Sequence, residues 1–225
     1  MTEAVTQAMP RDISELPTEL PIFPLSGAVL LPRAHLPLHI FEPRYRAMIE
    51  DALAGDGIIG MVQPREVERQ EPDDAPDIYG AGCLGKIVEN QLNEDGRLLI
   101  TLIGLCRFDV GEELPLKNGY RRIRVNYARY AGDLEAPADG AFDRARLLLG
   151  LNAYFAARGV GGDWDKSEEA ADELLIAAMT MICPFAPSEK QALLECPQLN
   201  DRAQMLTTLV EMSVAGDCET SAERH

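Results

Sequence analysis

The sequence predicts an α+β protein in which a β-rich lobe is followed by a helical lobe. Short apolar runs separated by prolines, glycines and an Asp-Gly turn fill the first half, whereas apolar residues recur at helical spacing after about residue 138. Segregation of strands from helices along a chain is typical of this class. We therefore expect a loose lead-in at 1–17, the β-rich lobe at 18–135, the helical lobe at 136–215 and a frayed tail at 216–225.

The β-rich lobe opens with three apolar runs bounded by prolines, at residues 22–25, 28–31 and 36–41. Proline has no N–H to donate to a ladder, so these runs predict short strands at an edge or a bulge. Residues 57–62 then predict a buried strand. The following segment, 64–77, contains three prolines and a dense acidic run, and we interpret it as a mobile loop.

A helix is predicted between the third apolar run and the buried strand. Pro43 suits the first helical position, Glu42 lies at the positive end of the helix dipole, and Gly55 can end the helix in a left-handed conformation. Apolar residues four and three apart form one stripe that should face the sheet. This stripe consists of Tyr45, Met48, Ile49, Ala52 and Leu53.

The rest of the β-rich lobe predicts hairpins. Runs at 79–92 and 97–103 are joined by a turn that contains Asp95-Gly96, a strong hairpin signal. Gly104 separates the second run from 105–110, and a further run covers 120–130. With about seven strands and one helix, the lobe is expected to form a twisted antiparallel sheet or pseudo-barrel, in which closure hides the strand edges.

Four helices are predicted in the second lobe. The first ends at Gly159, the second is capped by Ser167 and stopped by Pro184, and the third has a capping box made by Ser188 and Gln191. The fourth covers about 201–214, before Gly216. The predicted buried stripes of the first, second and fourth helices are Leu147, Leu148, Leu151, Tyr154 and Phe155; Leu174, Leu175, Ala178 and Ile182; and Met205, Leu206, Leu209 and Val210.

Composition argues against several classes of partner. The formal net charge is −16, and both halves of the chain are acidic, so a nucleic acid or an anionic membrane is not an expected partner. No apolar run has the length of a membrane span, and residues 1–15 do not resemble a signal peptide, so we expect a cytoplasmic protein.

The five cysteines are an odd number without a C-x-x-C pair, which argues against a disulfide framework or a zinc site.

The sequence contains few candidates for chemistry. His35 and His39 are four residues apart, but Pro37 lies between them in an extended run, so they predict partly exposed strand histidines rather than a metal site. Arg121, Arg122, Arg124 and Arg129 form the one basic cluster, for which a solvated strand face is favoured over an anion or RNA site. No cofactor, metal or catalytic residue is predicted.

The first half carries a resemblance to a known family. The stretches LPIFPL and PLHIFEPRYR, with GIIGMVQP, YGAGCLGKIVE and GRLLITLIGLCRFDV further on, resemble the LON substrate-binding domain, the N-terminal domain of Lon-type ATP-dependent proteases. After about residue 130, only the helical character and the length are similar. The resemblance implies a PUA-like β-lobe with a helical bundle and, since the domain also occurs alone in small bacterial proteins, a stand-alone form.

Lon-type proteases combine an ATPase module with a Ser-Lys dyad, and this sequence shows neither. The glycines at 159–162 lack the G-K-S/T ending of a phosphate-binding loop. Lys166 and Ser167 are adjacent and do not face one another on a helix, so Ser167 is better interpreted as a cap. We therefore expect no enzymatic activity.

The leading hypothesis is a module that binds unfolded or exposed peptide segments. The candidate ledge lies where the third apolar run meets the helix and consists of Phe23, Leu36, Glu42, Arg44, Tyr45 and Arg46, although helix-end and salt-bridge roles are the favoured explanation of its charged members. Two alternatives remain open. One is a small-ligand or nucleotide binder, or an enzyme, with a pocket between the lobes, and the other is an adaptor for a separate Lon-type protease or ATPase.

Overall fold

The first half of the chain forms a mixed six-stranded sheet in this computed structural model, which describes residues 10–65, 76–93, 97–136, 140–159 and 170–222. The strand order is β2-β5-β4-β3-β1-β6, with β6 also paired to β5, so five strands close into a ring and β2 is added at one edge. The strands are β1 (Glu19–Pro24), β2 (His35–Ile40), β3 (Ile58–Val62), β4 (Ala81–Leu92), β5 (Leu98–Lys117) and β6 (Tyr120–Asn126). The α+β prediction is confirmed.

The sheet is mixed rather than antiparallel, which corrects the prediction. β1 and β3 are parallel, with Ile22 opposite Gly60 and Pro24 opposite Val62. Parallel neighbours need a crossover connection, and residues 25–57, which include a helix, supply it. The other pairings are antiparallel, and the predicted pairing of β4 with β5 is confirmed, whereas the predicted Asp95-Gly96 turn between them lies outside the described residues.

β5 continues through Gly104, where the sequence predicts a break. The partner of Leu84 is Cys106 and the partner of Gly85 is Gly104, so Leu105 is an extra residue in a β-bulge. Gly104 is needed because a Cβ there would lie 2.0 Å from the carbonyl oxygen of Leu31. In the sequence, Gly104 suggests the end of a strand. In the fold, it is the point where the backbone at Leu31 approaches β5.

That other segment is 28–31, for which the predicted strand is wrong. These residues form an irregular loop, yet Val29, Leu30 and Leu31 are buried. The loop is held against β5 by hydrogen bonds from the Arg33 N–H to the Gly104 carbonyl and from the Gly104 N–H to the Ala34 carbonyl. Its apolar residues therefore reflect burial in the core rather than strand pairing.

Helix α1 (Pro43–Leu53) confirms the predicted start at Pro43. Its buried residues are Tyr45, Met48, Ile49 and Ala52, with Leu53 partly buried. The predicted role of Gly55 is wrong, since Gly57 is the residue with positive φ, at 68°. The N–H of Gly57 donates to the Ala52 carbonyl, so the left-handed residue comes two positions later than expected.

Both ends of the β-lobe differ from the prediction. β5 extends to Lys117, past Val110, with irregular pairing to β6. β6 ends at Asn126, and a 3-10 helix at Ala128–Leu134 replaces the predicted end of that strand. The lead-in also contains a 3-10 helix, at Ile13–Glu15, followed by the buried Leu16. Residues 66–75, most of the predicted mobile loop, lie outside the described residues.

The helical lobe contains α2 (Arg144–Ala157), α3 (Asp172–Ile182), α4 (Pro187–Glu195) and α5 (Leu199–Ala222). Gly159, with φ of 67°, follows α2 as predicted. The predicted Ser167 cap and Lys166 lie outside the described residues. α5 passes through Gly216, where the sequence predicts its end.

The buried stripe of α3 is rotated from the prediction. Leu174 and Ile182 are exposed, whereas Leu175, Ile176, Ala177, Met179 and Thr180 are buried. Ala177 packs in the core of the β-lobe, and Leu175 and Ile176 pack in the core of the helical lobe. Because α3 contacts both cores, its buried surface is not a single stripe.

The start of α4 also corrects the prediction. Pro187 is the first helical residue, and the side chain of Glu189 accepts a hydrogen bond of 2.8 Å from the Ala186 N–H. Ser188 is exposed, and Gln191 is buried instead of forming a cap. Gln191 donates to the Ala81 carbonyl at 3.0 Å, which joins α4 to the β-lobe.

Candidate functional site: an apolar groove beside β2

A groove of about 400 Å³ lies where β1, β2 and α1 meet. Its walls come from the ends of β1 and β2, the first turn of α1 and one residue of β6, with prolines on both sides of residues 66–75. The lining residues are Phe23, Pro24, Leu25, Pro37, Leu38, His39, Phe41, Glu42, Arg44, Tyr45, Pro64, Pro76 and Arg121. Aromatic and proline side chains dominate this surface, which suits an apolar ligand.

The floor of the groove is an aromatic pair. The rings of Phe23 and Tyr45 meet edge to face with centroids 4.4 Å apart, and both side chains are more than nine-tenths buried. The guanidinium of Arg44 lies 4.6 Å from the centroid of the Tyr45 ring. Burial raises the pKa of Tyr45, so its hydroxyl remains neutral at physiological pH. The floor is therefore a buried aromatic surface, and Tyr45 adds no negative charge to it.

Phe41, at the junction of β2 and α1, is 68% exposed. Together with the exposed Pro37, which lines the same groove, it forms apolar surface that a partner can cover. It lines the same groove as the buried Phe23–Tyr45 pair, so most of the phenylalanine and tyrosine ring area that a bound chain could contact belongs to Phe41. Phe41 is far more exposed than Phe23 and Tyr45, the other phenylalanine and tyrosine side chains that line this groove.

The charges of the groove are largely compensated in place. Arg44 pairs with Glu42 at 2.8 Å. Arg121 forms a bidentate pair with Glu113, at 2.6 and 2.7 Å, and donates to the Pro76 carbonyl at 2.8 Å. Hydrogen bonds from Arg121 lower the pKa of Glu113. The groove therefore offers apolar area with little uncompensated charge.

β2 gives this groove an open strand edge. β2 pairs with β5, and within the part of the chain that the structure describes it has no partner on its other side. Pro37, Leu38 and His39 of β2 line the groove. An unpaired edge is a site where an extended chain can add as a further strand, although Pro37 contributes no N–H to such a ladder.

The structure brings four of the six predicted ledge residues together. Phe23, Glu42, Arg44 and Tyr45 line the groove, whereas Leu36 and Arg46 do not. Leu36 packs against the core of the β-lobe instead. Phe23 and Tyr45 are both buried, Tyr45 as its place on the predicted helix stripe implies, so they provide the floor of the groove.

Sequence reasoning missed Phe41, Pro37 and Arg121 as groove residues. Phe41 ends an apolar run, and nothing local distinguishes an outward-facing residue there from a core residue. The alternation of β6 does give a signal for Arg121, since it places Arg121 on the opposite face from Arg122 and Arg124. Those two arginines pair with Glu19 and Glu112 on the outer surface.

The remaining candidates for chemistry contribute little. His35 and His39 are exposed on β2, as expected for strand histidines. No group of three or more His, Cys, Asp or Glu side chains within the described ranges has an arrangement for a metal ion. Cys83, Cys106, Cys183 and Cys196 are free and buried, and burial raises the pKa of each thiol.

Across the described residues, no helix is both long and apolar enough to cross a membrane.

The fold is similar to two solved structures of Lon N-terminal domains. It is similar to the Lon N-terminal domain protein from Xanthomonas campestris, with a TM-score of 0.60, 22% identity and coverage of 85% of this chain and 98% of that one. It is also similar to the N-terminal domain of the Mycobacterium avium complex Lon protease, with a TM-score of 0.54, 16% identity and coverage of 85% and 97%. At these identities the likeness defines the fold.

The sequence defines the family. Residues 19–212 match the model of the ATP-dependent protease La (LON) substrate-binding domain, and the chain belongs to this family. It is 31% identical over 208 residues to Lon protease 2 of Myxococcus xanthus and 30% identical over 206 residues to the Lon protease of Dictyoglomus thermophilum. These matches cover 87% and 86% of this chain but 24% of each relative. The chain thus spans about a quarter of the length of these relatives.

Proposed function

We propose that this protein is a non-enzymatic module that binds unfolded or exposed peptide segments in the groove beside β2. The observation that carries the proposal is the combination of an exposed Phe41, the Phe23–Tyr45 floor and the unpaired edge of β2. Membership of the LON substrate-binding domain family supports the same reading.

The binding mode follows from the groove. An extended peptide places alternate side chains on one face, and one apolar side chain can contact Phe41 while the backbone lies along β2. Main-chain hydrogen bonds make few demands on sequence, which suits a module that accepts many clients. The compensated charges of Arg44 and Arg121 favour a neutral apolar segment over a highly charged one.

Phe41→Ala is expected to weaken the binding of an extended apolar peptide by roughly tenfold or more, the effect of losing an aromatic anchor from an interface. Because Phe41 is 68% exposed, the thermal midpoint should change little. The measurement is fluorescence anisotropy with a labelled peptide from an unfolded client.

The matched control is Leu149→Ala on α2, which removes a side chain that is 73% exposed and does not line the groove. Its affinity should equal that of the unmodified protein. If both variants bind as tightly as the parent, or both lose affinity equally, the groove is not the peptide site.

We further propose that the module delivers its clients to a separate Lon-type protease. The relatives it matches are Lon proteases of which it spans about a quarter, so a chain with this domain can supply recognition to a partner that supplies ATP hydrolysis and cleavage. The test is degradation of a client by a purified Lon-type protease with and without this chain. Equal rates, with client binding intact, would separate a failed adaptor role from a failed peptide site.

A further inference from the structure

The free edge of β2 carries a proline inside the strand. β2 covers His35–Ile40, and Pro37 lies within it. Among the described strands, β5 is the only one that pairs with β2, so the other edge of β2 has no strand beside it. His35, Pro37 and His39 are exposed. Another chain can therefore reach this edge, and an exposed edge is a template for pairing with a further strand.

The hydrogen bonds to β5 fix the direction in which the main-chain groups of β2 point. The N–H of Gly104 donates to the Ala34 carbonyl at 2.9 Å. The register continues from there without a shift, as far as Ile40 opposite Leu98. In an antiparallel pair, alternate residues direct their main-chain groups toward the partner strand. The even-numbered residues of β2 thus bond to β5, and the odd-numbered residues, Pro37 among them, turn their main-chain nitrogen and carbonyl to the free edge.

The residue types agree with this assignment. In sheets, proline is confined to positions where its nitrogen, which carries no hydrogen, faces away from the paired strand. Pro37 therefore breaks no hydrogen bond to β5. His35 and His39, on either side of it, have N–H groups that point outward and can donate. Along the free edge, one position without a donor thus lies between two positions with one.

The ring of Pro37 also obstructs the edge sterically. Its Cδ is bonded to the nitrogen in place of a hydrogen, so it projects from the free edge toward any added strand. A ladder hydrogen bond brings nitrogen and oxygen to about 2.9 Å, which leaves no room for a carbon atom between them. An added strand must therefore bend away from β2 at Pro37.

A second copy of this chain would meet the obstacle twice. Identical strands pair about a two-fold axis, so that both copies contribute the same residues. A register in which Pro37 of one copy lies inside the ladder also places Pro37 of the other copy inside it. Two hydrogen bonds are then lost, and two rings project into the shared ladder. An unfolded segment meets one ring only, and it is free to bend there.

We infer that Pro37 is a specificity-determining residue of the β2 edge: it keeps β2 from pairing with β2 of a second copy and reserves the edge for segments that can bend at that point. Such a segment can still reach His39 and Phe41, which line the groove beyond Pro37. The exclusion of a second copy does not depend on peptide binding, because it follows from the main-chain groups of β2 alone.

Pro37→Thr tests this inference, because it restores an outward N–H and supplies an exposed side chain that suits a strand. We expect the variant to self-associate with a dissociation constant at least about tenfold lower than that of the parent, as measured by sedimentation equilibrium. The matched control is His35→Thr, which places the same side chain on the same face of β2 and keeps Pro37. Its self-association should equal that of the parent, and circular dichroism checks that each variant is folded.

A double variant shows whether β2 itself forms the contact. Combining Pro37→Thr with His39→Pro moves the proline to another outward-facing nitrogen, so association should return to the level of the parent. If the double variant does not fold, the two single variants still decide the question.

Unchanged association of Pro37→Thr would overturn the inference. So would an equal gain in His35→Thr, or a folded double variant that associates as tightly as Pro37→Thr alone. Peptide affinity of the same proteins, measured by fluorescence anisotropy, tests the groove separately. The proposed function and the role of Pro37 can therefore fail independently.

Discussion

Asp133→Ala is expected to lower the free energy of unfolding by about 3–5 kcal/mol, because it leaves a buried guanidinium without its carboxylate. Asp133 accepts hydrogen bonds from the backbone N–H, Nε and Nη2 of Arg107. The two side chains are only 5% and 10% exposed. Burial lowers the pKa of Arg107, but the hydrogen bonds and the charge of Asp133 outweigh it and raise the pKa overall.

The loss of stability should extend beyond the Arg107–Asp133 ion pair to the contact with α4. Nη1 of Arg107 donates to the Leu194 carbonyl at 2.9 Å and to the Cys196 carbonyl at 2.5 Å, so Arg107 of β5 holds the end of α4. Once Asp133 is gone, Arg107 either stays buried and unpaired or turns toward water and releases these carbonyls. Either outcome weakens the contact between the lobes.

Urea denaturation followed by circular dichroism measures this effect. The matched control is Glu112→Ala, which removes a carboxylate from the exposed pair with Arg124, where the side chains are 66% and 59% exposed. An exposed pair of this kind contributes little, so its curve should overlay that of the parent. A loss from Asp133→Ala no larger than that of the control would mean that Arg107 finds compensation elsewhere.

Gly104→Ala is expected to destabilise the fold by about 3 kcal/mol or more, since the new Cβ overlaps backbone atoms that cannot rotate away. The Cβ would lie 2.0 Å from the Leu31 carbonyl oxygen and 2.7 Å from the Leu31 carbonyl carbon. Relief requires the buried loop at 28–31 to move from β5. That movement would also break the two hydrogen bonds that Gly104 makes with Arg33 and Ala34.

Gly80→Ala provides the control, because a Cβ at Gly80 meets no atom within 4 Å. The two substitutions have the same chemistry and the same effect on chain entropy in the unfolded state, so their difference reports the clash at Gly104. Thermal and urea denaturation of both variants should separate them clearly. Similar curves would show that the loop yields at low cost and that Gly104 is not required for close approach.

Local sequence signals predicted many of the helices and strands. The start of α1 at Pro43, the histidines on β2 and the pairing of β4 with β5 all follow from residues within a few positions of one another. Part of the candidate groove could also be predicted from local sequence, since Glu42, Arg44 and Tyr45 lie close together at a strand-to-helix junction. Phe23 joins them only because β1 passes beside α1 in the folded chain.

Other features have no local signal. The run at 28–31 has the composition of a strand, and its actual role as a buried loop depends on β5. Gln191 forms part of an apparent capping box, but the folded chain places it 3.2 Å from Gln63, which is 128 residues away. In these cases a tertiary contact overrides the pattern, because burial and hydrogen bonding across the fold contribute more than local propensity.

The sequence by itself determined the class of fold, the order of the two lobes and the family, since these depend on periodicity, turn residues and motifs that lie close together along the chain. Only the tertiary structure decided that Phe41 faces the groove, that Gly104 receives the backbone of Leu31 and that Arg107 is buried against Asp133. Each of these depends on groups far apart in sequence, and the free energy of such contacts is set by which surfaces pack together when the chain folds.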